Sequence, residues 1–170
     1  MAAPYPPSGK DDAAADHRRF MQRAIDLAAE GMRAGAGGPF GCVIVKDGVI
    51  VGEGHNEVVT GCDPTAHAEV VAIRRAAQAL GRFHLEGCVA YTSCEPCPMC
   101  LAALYWAHVE KVFYAADRHD AAVAGFDDAF LYRELPLPMG ERELPFGRLM
   151  GEESRKVFEQ YMALEGRVPY

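Results

Sequence analysis

Pro96-Cys97-Pro98-Met99-Cys100 is the stretch on which the reading of this chain turns. Two thiols stand three positions apart, and Pro98 follows the first of them directly. Proline suits the first position of a helix, where its missing N–H is no loss. On a helix beginning there, Cys97 and Cys100 share a face. Helical side chains tilt toward the N-terminus, so both sulfurs meet the unpaired N–H groups and positive dipole end that favour thiolates. Upstream stands His67-Ala68-Glu69, which also falls at an expected helix start. Two first turns can then bring His67, Cys97 and Cys100 to one point. One imidazole and two thiolates form a zinc ligand set that leaves a fourth tetrahedral position open.

That ligand set is formally neutral, and a water in the open position would lose a proton near a pH of about 7 in favourable sites. Such a water suits attack on an amidine-like ring carbon, followed by protonation of a ring nitrogen and departure of ammonia. Glu69, two residues from a ligand, is placed to carry both protons as general acid and base. Two plainer readings compete. Cys97 and Cys100 alone are a redox pair in other proteins. Cys94, Cys97, Cys100 and His67 together would close a structural zinc site. Both leave Glu69 without a task.

Outward from these motifs the order reads α-β-β-α-β-α-β, an α/β domain with helices packed on a sheet. Ala13 to Ala34 carries a helical stripe of Phe20, Met21, Ala24, Ile25, Leu27, Ala28 and Met32. Phe40–Lys46 and Val49–Asn56 read as strands joined by the hairpin signal Asp47-Gly48. Asp63-Pro64-Thr65 predicts a helix start, and Ala66, Val70, Ile73, Ala77 and Leu80 form the expected buried face of a helix that stops at Gly81. Cys88–Thr92 and Lys111–Ala115 read as further strands around a helix from Cys97 to Ala107. Beyond Asp117 a helical turn or two, broken by Gly125, precedes a surface connection over Pro136–Pro145 and an amphipathic helix over Glu152–Leu164. The organisation expected is an irregular arm over 1–12, one domain over 13–165 and a tail over 166–170.

The 170 residues carry a net charge of -7. That balance disfavours broad binding to nucleic acid or an anionic membrane, and no apolar run approaches the roughly 18 residues of a membrane span. Residues 1–16 lack the apolar core of a signal peptide. The six cysteines are read as reduced thiols of a cytoplasmic enzyme, since a chain of this size and apolar content needs no disulfides. Cys42, Cys62 and Cys88 are read as small core residues. His17, His55, His84, His108 and His119 lack paired spacing and are read as surface or structural.

The pattern His-x-Glu…Pro-Cys-x-x-Cys resembles the known signature of zinc nucleobase deaminases. With Gly37-Gly-Pro-Phe-Gly41, Asn56, Thr92–Leu101, Tyr105-Trp106 and Ala124-Gly-Phe-Asp-Asp128, the chain resembles the cytidine-deaminase-like superfamily and, within it, the bacterial guanine deaminases. The resemblance implies a three-layer α/β/α domain with a mixed sheet of four or five strands, one Zn2+ per subunit and a homodimer. It implies a purine bound near Phe40, Asn56, Ala68 and Trp106, and Asp128 as a proton relay to the departing amine. It also implies that the C-terminal tail swaps to the partner subunit, where Tyr170 closes the pocket, although Arg167-Val168-Pro169 differs from the usual family tail. Residue by residue the alternatives are core packing for Phe40 and Trp106, a turn cap for Asn56 and a helix cap for Asp128. The activity expected is hydrolysis of guanine to xanthine and ammonia. The alternatives are a deaminase of guanosine, cytosine or another base, and a non-catalytic zinc-stabilised binding module.

Overall fold

A computed structural model describes residues 10–169. The chain divides into two compact units, Met1–Asp128 and Ala129–Tyr170. The first contains helix α1 (Lys10–Arg33), strands β1 (Gly41–Lys46) and β2 (Val49–His55), helices α2 (Val58–Gly61) and α3 (Ala68–Leu80), strand β3 (Cys88–Cys94), helix α4 (Pro98–Trp106), strand β4 (Lys111–Ala116) and helix α5 (Arg118–Val123).

The four strands form one mixed sheet in the order β2-β1-β3-β4. β1 is antiparallel to both β2 and β3, whereas β3 and β4 are parallel and joined through α4. β1 reads as a near-continuous apolar run because both of its faces are covered. Cys42 and Ile44 face a core with Cys88, Ala90, Ala68, Ala72, Ala76 and Leu104, which come from β3, α3 and α4. Val43 and Val45 face the opposite way, onto Phe20 and Leu27 of α1 and Tyr91. The period-two alternation of one strand thus sets out three layers, α1 on one face and α3 with α4 on the other. The helices approach the sheet closely because glycine stands at the contacts. A Cβ on Gly41 would lie 2.1 Å from the Ala24 carbonyl oxygen, and one on Gly52 would lie 2.5 Å from that of Ala72. Arg23 of α1 also forks onto Glu53 of β2 at 2.7 and 3.0 Å. That pair is half exposed and contributes no more than about 1 kcal/mol.

Asp47 and Gly48 both have positive φ, 50° and 76°, as a two-residue hairpin turn requires. Elsewhere the expected boundaries move. Asp63-Pro64-Thr65 does not begin a helix: the Asp63 carboxylate accepts from the Thr65 N–H and hydroxyl in a local turn, and α3 starts at Ala68. The buried face of α3 is Ala68, Val71, Ala72 and Ala76, with Ile73, Ala77 and Leu80 only partly buried beside it. The small residues turn inward because Gly52 and Gly54 let the helix backbone come close. On α1, Ile25 and Met32 are exposed rather than part of the buried stripe. Cys62 is not a core residue either; it is exposed, in left-handed conformation at the end of α2, whereas Cys42 and Cys88 are fully buried. α1 begins at Lys10, and residues 1–9 of the expected arm lie outside the described residues.

The second unit contains α6 (Ala129–Glu134), a 3-10 turn at Met139–Glu141 and α7 (Gly151–Ala163). Arg142 donates to the carbonyls of Leu135 and Leu137 and so organises the connection. None of residues 129–169 is buried, although Leu149, Val157, Phe158, Met162 and Leu164 are large and apolar. Among the described residues no helix is long and apolar enough to cross a membrane.

Candidate active site

His67 and Cys97 are the N-cap residues of α3 and α4, in extended conformation, and Cys100 lies in the first turn of α4. Neither N-cap side chain caps its own helix, so both are free to point away from the helix ends toward each other. His67 Nδ1 lies 3.5 Å from Cys97 Sγ and 3.4 Å from Cys100 Sγ. Zinc–sulfur and zinc–imidazole bonds meeting at a tetrahedral angle separate their donor atoms by about 3.5 Å. Both His67–sulfur pairs therefore already stand at ligand spacing, and the chemistry of the three donors fits a zinc ion.

The local electrostatics agree. The hydrogen bond from Cys100, with a further one to His67, drops Cys97 to about 4, whereas its bond to Cys97 and its burial raise Cys100. Cys97 in turn raises His67. Cys94 does not join the cluster. Burial, and then the nearby Glu69, push its thiol to about 11, and it donates to the Asp117 carbonyl at 3.5 Å. The closed four-ligand set therefore lacks its third sulfur, and the metal-capable group at this place is His67, Cys97 and Cys100.

Glu69, in the first turn of α3, is 5% exposed, and burial raises its proton affinity. Thr92, buried in β3, donates its hydroxyl to Glu69 Oε1 at 3.4 Å. Sequence reasoning missed Thr92 as a positioning residue. The signal lay in the alternation of β3, which turns Thr92 inward immediately before the motif. Ser93, one residue on, accepts from the Gly41 N–H at 2.9 Å and holds the preceding Gly-Gly-Pro-Phe loop.

That loop carries Phe40, whose ring meets Phe126 edge-on at 5.0 Å. Phe40 accepts at its carbonyl from the Asn56 N–H at 3.0 Å. Asn56 is 5% exposed, and its Oδ1 accepts from the Val58 N–H at 3.1 Å. It therefore does cap a turn, which commits its oxygen and leaves its NH2 as the remaining polar group. Asp128 is partly buried, and that burial, then the charge of Cys97, raises its pKa. Glu95 ties the junction of β4 and α5 to the cysteine loop, since its carboxylate accepts from the Arg118 N–H at 3.2 Å and its N–H donates to the Ala116 carbonyl at 2.8 Å. Phe126 and Glu95 are further residues that the motifs contained without revealing a task.

Ala68 is fully buried as the first residue of α3. Trp106 is placed differently. It ends α4, nine residues from Cys97 and hence about 13 Å along the helix, and is 65% exposed beside Ala102 and Tyr105. The structure does not bring it to the His67 cluster. Tyr170 lies outside the described residues.

The model of the cytidine and deoxycytidylate deaminase zinc-binding region matches residues 14–116. The guanine deaminase of Bacillus subtilis (strain 168) is 53% identical over 155 residues, which cover 91% of this chain and 99% of that protein. The chain belongs to the guanine deaminase family. The X-ray structure of the Bacillus subtilis guanine deaminase superposes with a TM-score of 0.88 over 91% of this chain and 98% of that one. The four-stranded mixed sheet between helical layers is accordingly the cytidine-deaminase-like architecture. The guanine deaminase from Nitrosomonas europaea is 27% identical, with a TM-score of 0.62 and 82% of each chain covered. Outside this family, a tRNA-specific adenosine deaminase from Aquifex aeolicus is 44% identical, but over only 52% of this chain and 60% of that protein.

Proposed function

We propose that this protein is a zinc-dependent guanine aminohydrolase, converting guanine and water to xanthine and ammonia. The observation that carries this reading is the 53% identity to the Bacillus subtilis guanine deaminase across nearly the whole of both chains. His67, Cys97 and Cys100 would hold one zinc per subunit. Zinc bound there supplies a water of lowered pKa for attack on the ring.

The remaining chemistry falls to the chain's own groups. Glu69 accepts a proton from the water as the C2–O bond forms and passes it to the adjacent ring nitrogen. The second proton leaves the hydroxyl now on C2 and reaches the exocyclic amine, with Asp128 relaying it. The C2–N bond then breaks, ammonia leaves and oxygen remains on C2. Burial that raises the proton affinity of Glu69 and Asp128 suits both to holding a proton during turnover. The Asn56 NH2 donates to a ring acceptor, and the Ala68 N–H, without an intrahelical partner at the start of α3, is a second donor. Phe40, backed by Phe126, holds the ring flat.

The proposal includes a homodimer and a single deaminase domain over 13–165. Leu101, Tyr105 and Trp106 leave α4 with a broad exposed apolar face, and residues 129–169 bury nothing. Both features suit coverage by a second copy. Trp106 and Tyr170, which are also proposed to line the purine pocket, would serve it in that assembly, with the tail over 166–170 swapped. The six free thiols suit a cytoplasmic setting.

Ammonia release from guanine, guanosine, adenine and cytosine tests the substrate. Guanine should be turned over with the highest kcat/KM. Turnover of a nucleoside or pyrimidine without turnover of guanine would refute this reading, and silence on all four with zinc bound would favour a binding module.

A further inference from the structure

At the far end of α4 from Cys97, the fold assembles a second group of metal-ligating side chains. His84 and Glu86 lie in the turn between α3 and β3, and His108 follows α4 with a left-handed φ of 55°. The Leu85 N–H donates to the Ala107 carbonyl at 2.6 Å, and the Glu110 N–H donates to the Cys88 carbonyl at 3.0 Å, so the two segments run side by side. Ligand atoms of His84, Glu86 and His108 lie within 4.8 Å of one another. His108 Nδ1 is 3.7 Å from Glu86 Oε1. Separately, His84 Nε2 is buried and has no hydrogen-bond partner among the described residues. Buried polar groups in native proteins are nearly always satisfied, and one that is not points to an ion or water. The adjoining hollow of about 440 Å³ is lined by Glu86, Glu110, Tyr105 and His108, with no lysine or arginine.

The geometry points to a surface site for a divalent transition-metal ion, held by His84, Glu86 and His108 and distinct from the His67 cluster. Two imidazoles and one carboxylate select zinc, cobalt, copper or nickel over magnesium and calcium, which prefer all-oxygen sets. The rings now stack at 4.1 Å with an interplanar angle of 19°. Imidazole lone pairs lie in the ring plane, so two rings stacked face to face cannot both aim at one ion. His108 must swing, and its side chain, 46% exposed, is able to do so. Tetrahedral nitrogen and oxygen donors stand about 3.3 Å apart, so His108 and Glu86, 3.7 Å apart, need only a small further approach. The His67 cluster has thiolates; the second site therefore binds more weakly. An ion there clamps the α3–β3 turn to the end of α4.

The test uses zinc-loaded protein titrated with Co2+, followed by absorption and thermal melting. A further equivalent should bind with weak d–d bands and no thiolate charge-transfer band, and Co2+ but not Mg2+ should raise Tm. His108→Asn, in which asparagine tolerates the left-handed backbone, and Glu86→Gln should each weaken this binding at least tenfold and abolish the Tm shift. Zinc in the first site should be retained in both. Absence of the further equivalent, unchanged affinity in both variants, or appearance of the thiolate band would overturn the assignment.

Discussion

Gly37→Ala probes the link between the glycine loop and the substrate site. A Cβ at position 37 would stand 2.0 Å from Asn56 Oδ1, 2.9 Å from its Cγ and 3.0 Å from its main-chain oxygen. Contacts under 3.0 Å are essentially never made by a real Cβ, so the amide oxygen must retreat by about 1 Å. It then leaves the Val58 N–H, now 3.1 Å away, without its acceptor. The stability loss from overpacking and the broken bond should be about 1–3 kcal/mol. The functional loss should be larger in kind. A misplacement of about 1 Å in a positioning group reduces catalysis by roughly 10², and the reduction should appear in kcat/KM for guanine, measured by ammonia release. Zinc content should be unchanged, because no ligand touches Gly37. The decisive measurement is the double-mutant cycle with Asn56→Ala. If Gly37 acts through Asn56, adding Gly37→Ala to Asn56→Ala should change kcat/KM little. A further hundredfold loss in that background, or wild-type kcat/KM in the single variant, would refute the reasoning.

Glu69→Gln should retain zinc and fold but lose about 10² to 10⁴ in kcat, the usual contribution of a positioned proton carrier; a variant with more than a tenth of wild-type activity would exclude Glu69 from that role. Cys97→Ala and Cys100→Ala should each lose zinc and melt earlier, whereas Cys94→Ala should keep it, as metal analysis of the purified variants would report. Deleting residues 168–170 should lower activity far more than Tm, and mixed dimers of this deletion with Glu69→Gln should regain activity if the tail is swapped. Verified mixed dimers without activity would exclude the swap.

The zinc cluster was legible because helix geometry leaves little choice: Pro98 fixes a start, and residues around two starts converge. The hairpin was legible because only Asp47-Gly48 supplied the required turn. The start of α3 was not. Asp63-Pro64-Thr65 has the same local chemistry whether it caps a helix or closes a turn, and the decision rests on His67 being held extended at the cluster. The inward face of α3 escaped for a related reason. Apolar size favoured Ile73 and Leu80, whereas Gly52 across the interface demanded alanine. For His84 and His108, spacing along the chain gave no hint that their rings stack.

The convergence of His67 with Cys97 joins positions 30 residues apart. An ion held between them acts on the chain as a cross-link does, closing a loop that contains all of α3 and β3. In the chain-entropy treatment of a disulfide, a loop of that length removes about 4 kcal/mol of unfolded-state freedom, and ions that also bind the unfolded thiols retain only part of it. Because each anchor is the first residue before a helix, loss of the ion should loosen the starts of α3 and α4 together, and amide exchange after chelation should rise at both ends alike.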